Sequence, residues 1–220
     1  MLSFACSSGI IARVPSLYKQ FDKTLSISYY AAHMQNVPLI LASTSPRRRE
    51  LITLFGLELN FLSADIDEAP IPGEEPDELV WRLSRAKAAI AVRRSVPDAI
   101  IIGADTDVAI DGAILGKPAD AADATRMLKL LRGRAHVVYS GVTVAQGARQ
   151  VTQIVKTTVF MRDYSDAEIA GYVATGDPLD KAAAYAIQHD TFHPVERHRC
   201  VRQRRDQRRA AGENEYHQNE

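Results

Sequence analysis

An apolar run gives way to small hydroxyl residues, a proline and three arginines in the stretch Leu39-Ile-Leu-Ala-Ser-Thr-Ser-Pro-Arg-Arg-Arg-Glu-Leu-Ile52. The apolar run Leu39–Ala42 is typical of a buried strand. Pro46 suits the first position of a helix, because its missing N–H would have no partner there, and Ser45 then becomes the N-cap. The stretch therefore predicts a strand that leads directly into a helix, which we expect to end at about Phe55.

The start of this helix has the chemistry of an anion site. Unpaired N–H groups and the positive end of the helix dipole attract anions, phosphate above all. Hydroxyl and guanidinium side chains surround that point, namely Ser43, Thr44, Ser45, Arg47 and Arg48. An ordinary joint between a strand and a helix, with solvated arginines, could have the same residues, so these residues alone leave both interpretations open.

The composition describes an ordinary soluble protein. The chain has 220 residues, of which 46% are apolar and 25% charged, and we expect one globular domain with flanking segments. Its formal net charge is zero, so no overall field favours nucleic acid or a membrane surface. The two cysteines, Cys6 and Cys200, lack the spacing of a metal site or a disulfide framework. Together with the absence of a transmembrane-length apolar run, they favour a cytoplasmic location without a membrane partner.

Carboxylates and lysines follow the next predicted elements. A polar loop after a strand at Leu57–Leu62 carries Asp65, Asp67 and Glu68, and it could hold a divalent cation or be solvated surface. Pro76 opens a long helix to about Ser95. On this helix Lys87 lies beside the apolar stripe, where a lysine usually extends its charge to water along apolar neighbours.

A second buried strand leads into another candidate site. Ala99–Ile102 runs into Gly103-Ala-Asp-Thr106, which places Asp105 at the rim of the sheet, where ligands of open α/β sheets bind. Asp111-Gly112 predicts a tight hairpin. Lys117 follows between a glycine and a proline, a rigid setting in which a lysine can meet a phosphate.

The rest of the chain gives local signals. The periodicity predicts a helix at Ala121–Leu131 and a long hairpin of His136–Val144 with Val151–Phe160. Ser165 and Glu168 have the spacing of a capping box that begins another helix. No periodicity assigns a structure to residues 177–188.

Four segments now stand in a fixed order: Ala42-Ser-Thr-Ser-Pro-Arg-Arg48, Gly103-Ala-Asp-Thr106, Leu115-Gly-Lys-Pro118 and Asp180-Lys-Ala-Ala-Ala-Tyr-Ala-Ile-Gln188. They closely resemble the Maf family of nucleoside triphosphate pyrophosphatases, the septum-formation-inhibitor-like proteins. Asp67-Glu68, Pro72-Gly-Glu74 and Arg82-Leu-Ser-Arg-Ala-Lys-Ala88 match the same pattern. Four ordered motifs are far more specific than any one of them.

The resemblance implies a fold and a reaction. The fold is an elongated α/β structure of the Maf/ITPase-like type, with a mixed central sheet and a cleft, and the family usually forms a homodimer. The reaction is hydrolysis of a nucleoside triphosphate between its α- and β-phosphates, which gives the monophosphate and pyrophosphate and depends on a divalent cation, Mg²⁺ or Mn²⁺. Such chemistry needs charge neutralisation and an oriented water, which agrees with the cations and carboxylates found above.

The resemblance also implies residue roles. Asp105 takes the role of proton acceptor and, with Glu68, that of metal ligand, whereas Lys87 and Lys117 neutralise charge during catalysis. Ser43, Ser45 and Arg48 match substrate-binding positions at the phosphates. Substrate choice in the family depends on three positions, here Arg47, Thr106 and Gln188. These three residues are similar to the branch that acts on dTTP, UTP and related modified pyrimidine nucleotides, rather than to the branch that acts on 7-methyl-GTP.

Some residues depart from the family's pattern. Asp107 stands where an apolar residue is usual, and strand alternation should place it on the face of Asp105, whose pKa it would raise if the two approach. Ala183 stands where glycine is common. After Glu196 the expected glycine- and proline-containing segment is replaced by a run with seven arginines and one aspartate between Arg197 and Arg209.

These observations predict three parts of the chain. Residues 1–36 are a serine-rich, acid-poor extension, either transit-like or, as we favour, sequence upstream of a misplaced start codon. Residues 37–196 form the pyrophosphatase domain. Residues 197–220 are expected to be a disordered tail, because they contain few apolar residues. An altered gene end would explain this tail, and the alternative function is a catalytically impaired relative, or a protein that binds nucleic acid through the arginines.

Overall fold

Seven strands form one mixed sheet in the computed structural model, which describes residues 37–54, 58–187 and 189–204. The strands are β1 Leu39–Ala42, β2 Asn60–Leu62, β3 Ile100–Ile110, β4 Ala113–Ile114, β5 Ala135–Gln146, β6 Arg149–Met161 and β7 Val195–Arg204. Their order in the sheet is β2-β1-β3-β5-β6-β7, and β4 pairs with β3 alone. The helices are α1 Pro46–Thr53, α2 Pro76–Arg94, α3 Ala121–Leu131 and α4 Asp166–Ala174. This architecture confirms the predicted mixed α/β fold class.

The parallel part of the sheet brings two distant segments to one edge. β1 pairs in parallel with β2 and with β3, and the last residue of β1, Ala42, lies opposite Gly103. The hydroxyl residues and arginines that follow Ala42 therefore emerge next to Ala104-Asp-Thr106, although more than fifty residues of sequence separate the two segments. The register thus explains why both segments contribute to one site.

Helix α2 lies unusually close to the sheet because two strand positions lack a side chain. A Cβ atom at Gly103 would lie 2.3 Å from the carbonyl oxygen of Ser84, and one at Gly141 would lie 2.4 Å from that of Val80. The hydroxyls of Ser84 and Thr143 share a buried hydrogen bond of 2.9 Å across the same contact. Strands β3 and β5 therefore contact the backbone of α2 directly, which brings the side chains of this part of the helix close to the sheet.

The main core lies where strands β3 and β6 pack against helices α3 and α4. Side chains from β3, α3, β6 and α4 form it, among them Val108, Leu128, Leu131, Val159, Tyr164, Ile169, Tyr172 and Phe192. The Tyr164 hydroxyl donates to the Leu128 carbonyl at 2.7 Å, and this hydrogen bond links the segment just before α4 to helix α3. The predicted capping box of α4 is present, since Ser165 Oγ accepts from the Glu168 N–H and the Glu168 carboxylate accepts from the Ser165 N–H. This core fixes the segment that leads from α4 to β7.

Most predicted elements are present with small shifts of their ends. The Asp111-Gly112 turn has positive φ angles of 52° and 79°, as the tight hairpin requires. Helix α2 ends at Arg94, α1 ends at Thr53 rather than near Phe55, and the second strand begins at Asn60. The uninterpreted segment contains two short 3₁₀ turns, Asp177–Asp180 and Ala182–Ala184, whose one-turn length leaves no periodicity to detect.

Strand β7 differs from the disorder that we expected after Glu196. It runs from Val195 to Arg204 and pairs antiparallel with β6, and Arg197 lies over the Phe160 ring at 4.0 Å. A strand at the edge of a sheet gains backbone hydrogen bonds, and long arginine stems can cover an aromatic ring, so it does not need an apolar face. Residues 1–36 and 205–220 lie outside the described residues.

None of the helices in the described ranges is long and apolar enough to cross a membrane.

Candidate active site

Hydrogen bonds from its own hydroxyl and arginine side chains stabilise the turn between β1 and α1. The Arg48 N–H donates to Ser45 Oγ at 3.4 Å, which confirms Ser45 as the N-cap, and the Ser45 N–H donates to Ser43 Oγ at 3.2 Å. Arg49 donates from two guanidinium nitrogens to the Ser43 carbonyl, each at 3.3 Å. Ser43 is consequently buried, and the start of α1 is held in one conformation beside the sheet edge.

Arg48 connects this turn to β3. Its guanidinium donates to the Ala104 carbonyl at 3.0 Å and to Thr106 Oγ1 at 3.2 Å. Loss of water around the guanidinium lowers the pKa of Arg48, while the negative charges of Asp105 and Glu68 act in the opposite direction. Arg48 therefore lies within electrostatic range of both predicted acidic residues, with Thr106 as its hydrogen-bond partner.

Lys87 holds the two acidic residues together. Its ammonium lies 2.6 Å from Asp105 Oδ1 and 2.6 Å from Glu68 Oε1. The side chains of Lys87 and Asp105 are 8% and 9% exposed, whereas that of Glu68 is 50% exposed. The interpretation of Lys87 as a lysine that extends into water is wrong, because the close approach of α2 to the sheet aims its ammonium at the carboxylates of β3 and the loop.

Glu68 remains ionised in this setting. Burial alone would raise the pKa of Glu68, but the hydrogen bond and charge of Lys87, together with the charges of Lys117 and Arg48, lower it below its ordinary value. An ionised carboxylate that is half exposed and lies in a cluster of cations can accept a metal ion or orient a polar group. The charge of Lys117 therefore reaches Glu68 as well.

Asp107, which stands where the family's pattern has an apolar residue, adds another carboxylate. Burial raises the pKa of Asp107 to about 6, with further contributions from the charges of Asp105 and Glu68, although N–H groups of Val108 and Gly116 donate to it. The raised pKa belongs to Asp107 itself. Burial is its main cause, and strand alternation could not predict that.

The other predicted residues lie farther from this cluster. Lys117 is exposed in the segment after β4, and the carbonyl of the preceding Gly116 accepts a hydrogen bond of 2.6 Å from the Ala183 N–H. The charge of Arg47 acts on Tyr172 of α4, where it lowers the pKa of a phenol that burial raises. Gln188 lies outside the described residues. The structure thus brings Arg48, Thr106, Lys87, Asp105 and Glu68 together, while Arg47 faces the α4 side.

Two polar pairs outside this cluster were assigned no role from the sequence. Arg82 donates from its guanidinium to both carboxylate oxygens of Glu74, at 2.6 and 2.8 Å. His136 lies buried with Nε2 2.7 Å from Tyr185 Oη, and burial lowers its pKa to about 4. Arg82 and Glu74 occur in segments that match the family's pattern, and that match was the available signal. No sequence signal distinguishes His136, because its partner comes from the segment that periodicity could not interpret.

The donor chemistry of the site suits a divalent cation. Glu68 and Asp105 offer carboxylate oxygens that share one ammonium at 2.6 Å and therefore lie within about 5 Å of each other. Mg²⁺ is typically held by one or two carboxylates together with substrate phosphates. Among the described residues no group of three or more His, Cys, Asp or Glu side chains could hold a metal ion without further ligands. The residues present therefore fit a cation whose remaining ligands come from substrate and water.

Several known proteins are similar to this chain. The dTTP/UTP pyrophosphatase of Geobacter sp. (strain M21) is 47% identical over 164 residues, which cover 74% of this chain and 84% of that protein. The dTTP/UTP pyrophosphatase of Anaeromyxobacter dehalogenans (strain 2CP-C) is 49% identical over 154 residues, 68% of this chain and 77% of that protein. These alignments are long enough to cover most of both chains.

Similarity to a solved structure is much weaker. The nucleoside-triphosphatase / dITP/XTP pyrophosphatase of Mycobacterium abscessus ATCC 19977 / DSM 44196 is 16% identical, with a TM-score of 0.37 over 57% of this chain and 74% of that chain. A likeness at that level supports no argument about function. The family model described as Maf-like protein, by contrast, matches residues 38–200, which include every site residue predicted above and the first part of β7. On this match and on the two close relatives, the chain belongs to the Maf family.

Proposed function

We propose that this protein is a nucleoside triphosphate pyrophosphatase that hydrolyses dTTP and UTP, and related modified pyrimidine nucleotides, to the monophosphate and pyrophosphate. The observation that carries the proposal is the buried Lys87–Asp105 pair, with Glu68 on the same ammonium and Arg48 beside it. The names of the close relatives support the same reaction and the same substrates.

The cations of the site bind and neutralise the triphosphate. Arg48 lies at the start of α1, where the positive end of the helix dipole also favours an anion, and the charge of Lys117 acts on Glu68 from the segment after β4. Phosphoryl transfer spreads negative charge over the oxygens of the transferred group, so fixed cations stabilise the transition state more than the substrate. Lys87 serves the reaction by holding Asp105 and Glu68 in place.

Asp105 acts as the proton acceptor for the attacking water. Its Oδ1 is occupied by Lys87, which leaves Oδ2 as the atom available to accept a proton. A positioned carboxylate of this kind typically accelerates a reaction by about 10²–10⁴-fold. When bound by Glu68, Asp105 and the phosphates, Mg²⁺ or Mn²⁺ would neutralise charge on the substrate and help to orient the water.

Substrate choice is proposed to depend on Arg47, Thr106 and Gln188. Thr106 accepts from Arg48, so its hydroxyl hydrogen is free to be donated to a substrate. An amide such as Gln188 can pair with the donor and acceptor edge of a pyrimidine. These roles follow from the family pattern that the three positions match.

The test compares the chain with Asp105→Asn. The wild-type chain should release pyrophosphate from dTTP and UTP with Mg²⁺ or Mn²⁺, with a higher kcat/KM than from GTP, and the variant should lose at least about 100-fold of that rate. Asp163→Asn is the control, because Asp163 is exposed and lies in the segment before α4. A folded Asp105→Asn variant with wild-type rates, or release of orthophosphate without pyrophosphate, would contradict the proposal.

The alternative function through an arginine tail receives no support from the fold. Residues 197–204 of the arginine-rich run belong to β7 and pair with β6. The leading proposal therefore remains the enzymatic one.

A further inference from the structure

The residue that most needs external support in this site is Glu68. It lies between β2 and α2, in residues 63–75, where the structure has neither helix nor strand. Its side chain is 50% exposed, and its ammonium partner Lys87 belongs to the helix rather than to the loop. Irregular loops usually have more conformational freedom than the elements they connect, so a loop that presents a functional side chain needs anchors.

Arg82 provides such an anchor from helix α2. Its Nε donates to Glu74 Oε1 at 2.6 Å, and its Nη2 donates to Glu74 Oε2 at 2.8 Å and to the Ala69 carbonyl at 3.0 Å. Glu74 Oε2 also accepts from the Ile71 N–H at 3.1 Å. One guanidinium thereby holds the carbonyl directly after Glu68 and the carboxylate near the end of the same loop.

The surroundings make this anchor stronger than a surface ion pair. The Glu74 side chain is 8% exposed and that of Arg82 is 29% exposed. Two parallel hydrogen bonds from a guanidinium to a carboxylate fix the direction as well as the distance between the groups. A lysine at the same position could supply the charge but not this paired geometry.

We infer that Arg82 and Glu74 are positioning residues that hold Glu68 against Lys87 and so prepare the cation site of the cleft. Both cations that fix the loop, Arg82 and Lys87, project from the same helix, and that helix rests on the sheet at Gly103 and Gly141. The distance between Glu68 and Asp105 is therefore set by one rigid element. This inference rests on the proposed function, because it takes Glu68 to be a ligand of the cation.

The expected consequence is a change in cation binding with the chemical step retained. Residues that orient metal ligands without touching the metal typically alter metal affinity or activity about 10–100-fold when they are substituted. With Arg82→Lys, Glu68 should still be present and ionised but less well placed. Affinity for Mn²⁺ should fall about 10-fold, whereas kcat at saturating Mn²⁺ should change less than about 3-fold.

The test uses the full chain and Mn²⁺ as the probe. Mn²⁺ binding is measured by electron paramagnetic resonance in the presence of a non-hydrolysable α,β-methylene analogue of dTTP, and the Mn²⁺ dependence of pyrophosphate release is measured separately. Glu74→Gln is the second variant, since it keeps the size of the side chain and weakens the same contact. Arg85→Lys is the matched control, because Arg85 lies on the same helix and stacks on Trp81 at 4.5 Å.

A double-variant cycle separates positioning from general damage. In the background of Glu68→Gln, Arg82→Lys should have no further effect on Mn²⁺ affinity, because its effect acts through Glu68. An Arg82→Lys variant that is folded and binds Mn²⁺ as the wild type does would overturn the inference. So would an equal loss of affinity with and without Glu68, or a wild-type chain that binds no Mn²⁺.

The two proposals fail in different ways. If Mn²⁺ binding depends on Arg82 but no pyrophosphate is released from any nucleoside triphosphate, the positioning role stands and the proposed activity is wrong. If pyrophosphate is released and Arg82→Lys retains the wild-type Mn²⁺ response, the activity stands and the positioning role is wrong.

Discussion

The ammonium of Lys87 lies 2.6 Å from Asp105 Oδ1, and the two side chains are 8% and 9% exposed. A buried ion pair of this kind combines attraction with a large cost of removing both groups from water. Such a pair adds little to stability as a whole, yet loss of one partner leaves the other charge buried without compensation. The pair therefore couples the packing of helix α2 on the sheet to the position of the Asp105 carboxylate in the site.

Lys87→Met should reduce both stability and activity. Loss of the ammonium leaves Asp105 buried without its partner, and we expect the free energy of unfolding to fall by about 3 kcal/mol. Pyrophosphate release should fall with it, because Glu68 and Asp105 lose the group that they share. Urea denaturation measures the first effect and steady-state kinetics the second.

The exposed bridge between Lys129 and Asp166, at 3.0 Å, gives the matched comparison. Lys129→Met should leave the free energy of unfolding nearly unchanged, because water screens this exposed pair. The double variant Lys87→Met with Asp105→Asn should recover part of the lost stability, since the uncompensated charge is then absent. A double variant as unstable as Lys87→Met would argue against an electrostatic cause.

Gly103→Ala should displace helix α2. The new Cβ atom would lie 2.3 Å from the Ser84 carbonyl oxygen, so the helix must move away from β3 and take Lys87 with it. We expect a loss of about 3 kcal/mol and a clear fall in activity. Gly171→Ala is the control within α4, where an added Cβ meets nothing within 4 Å, and it should stabilise the chain by up to about 1 kcal/mol. Equal effects of the two substitutions in thermal denaturation would show that the close approach is unimportant.

Ala183→Gly should stabilise the chain. Ala183 has a φ of 56°, in the left-handed region that disfavours residues with a Cβ atom, and glycine removes that penalty. The left-handed conformation costs an alanine about 1–2 kcal/mol, and loss of the buried methyl group of Ala183 costs about 0.8 kcal/mol, so we expect a net gain of only about 0.5 kcal/mol in urea denaturation. Ala182→Gly, at a neighbouring position without positive φ, should destabilise by a similar amount. If Ala183→Gly destabilises the chain as much as Ala182→Gly does, the backbone of Ala183 is not strained.

Asp107→Asn should stabilise the chain at alkaline pH more than at acidic pH. The pKa of Asp107 is raised to about 6 from an ordinary 3.8, so the stability from this group is fully present below pH 3.8 and is lost as the pH rises through 6. The amide has no charge to bury, and because the carboxyl is partly exposed we expect a gain of only about 1–2 kcal/mol at pH 8, and roughly half of that at pH 5.

Denaturation at those two pH values measures the difference. Asp163→Asn, an exposed carboxylate, should give no such dependence on pH. A gain that is the same at both pH values would indicate a packing effect rather than the charge of Asp107.

Local signals in the sequence were sufficient for elements whose causes are local. Pro46 after Ser45, the Asp111-Gly112 turn and the Ser165–Glu168 box each act within a few residues, and the structure has all three. The burial of Lys87 could not be predicted this way. It depends on contacts of α2 with Gly103 and Gly141, two strand positions that are distant from Lys87 in sequence and meet only in the folded sheet. For the same reason the family pattern suggested the site residues, whereas periodicity had indicated a solvated lysine.

Strand β7 also shows where composition misleads. Its low apolar content suggested disorder, yet it pairs with β6 along its length. Arg197 and Arg199 are exposed on this strand, and its outer edge has no partner among the described residues. An open strand edge is a template for pairing with another chain, and like charges placed along it repel an identical neighbour. The arginines that make this segment unsuited to a core thus disfavour edge-to-edge aggregation of the folded protein through β7.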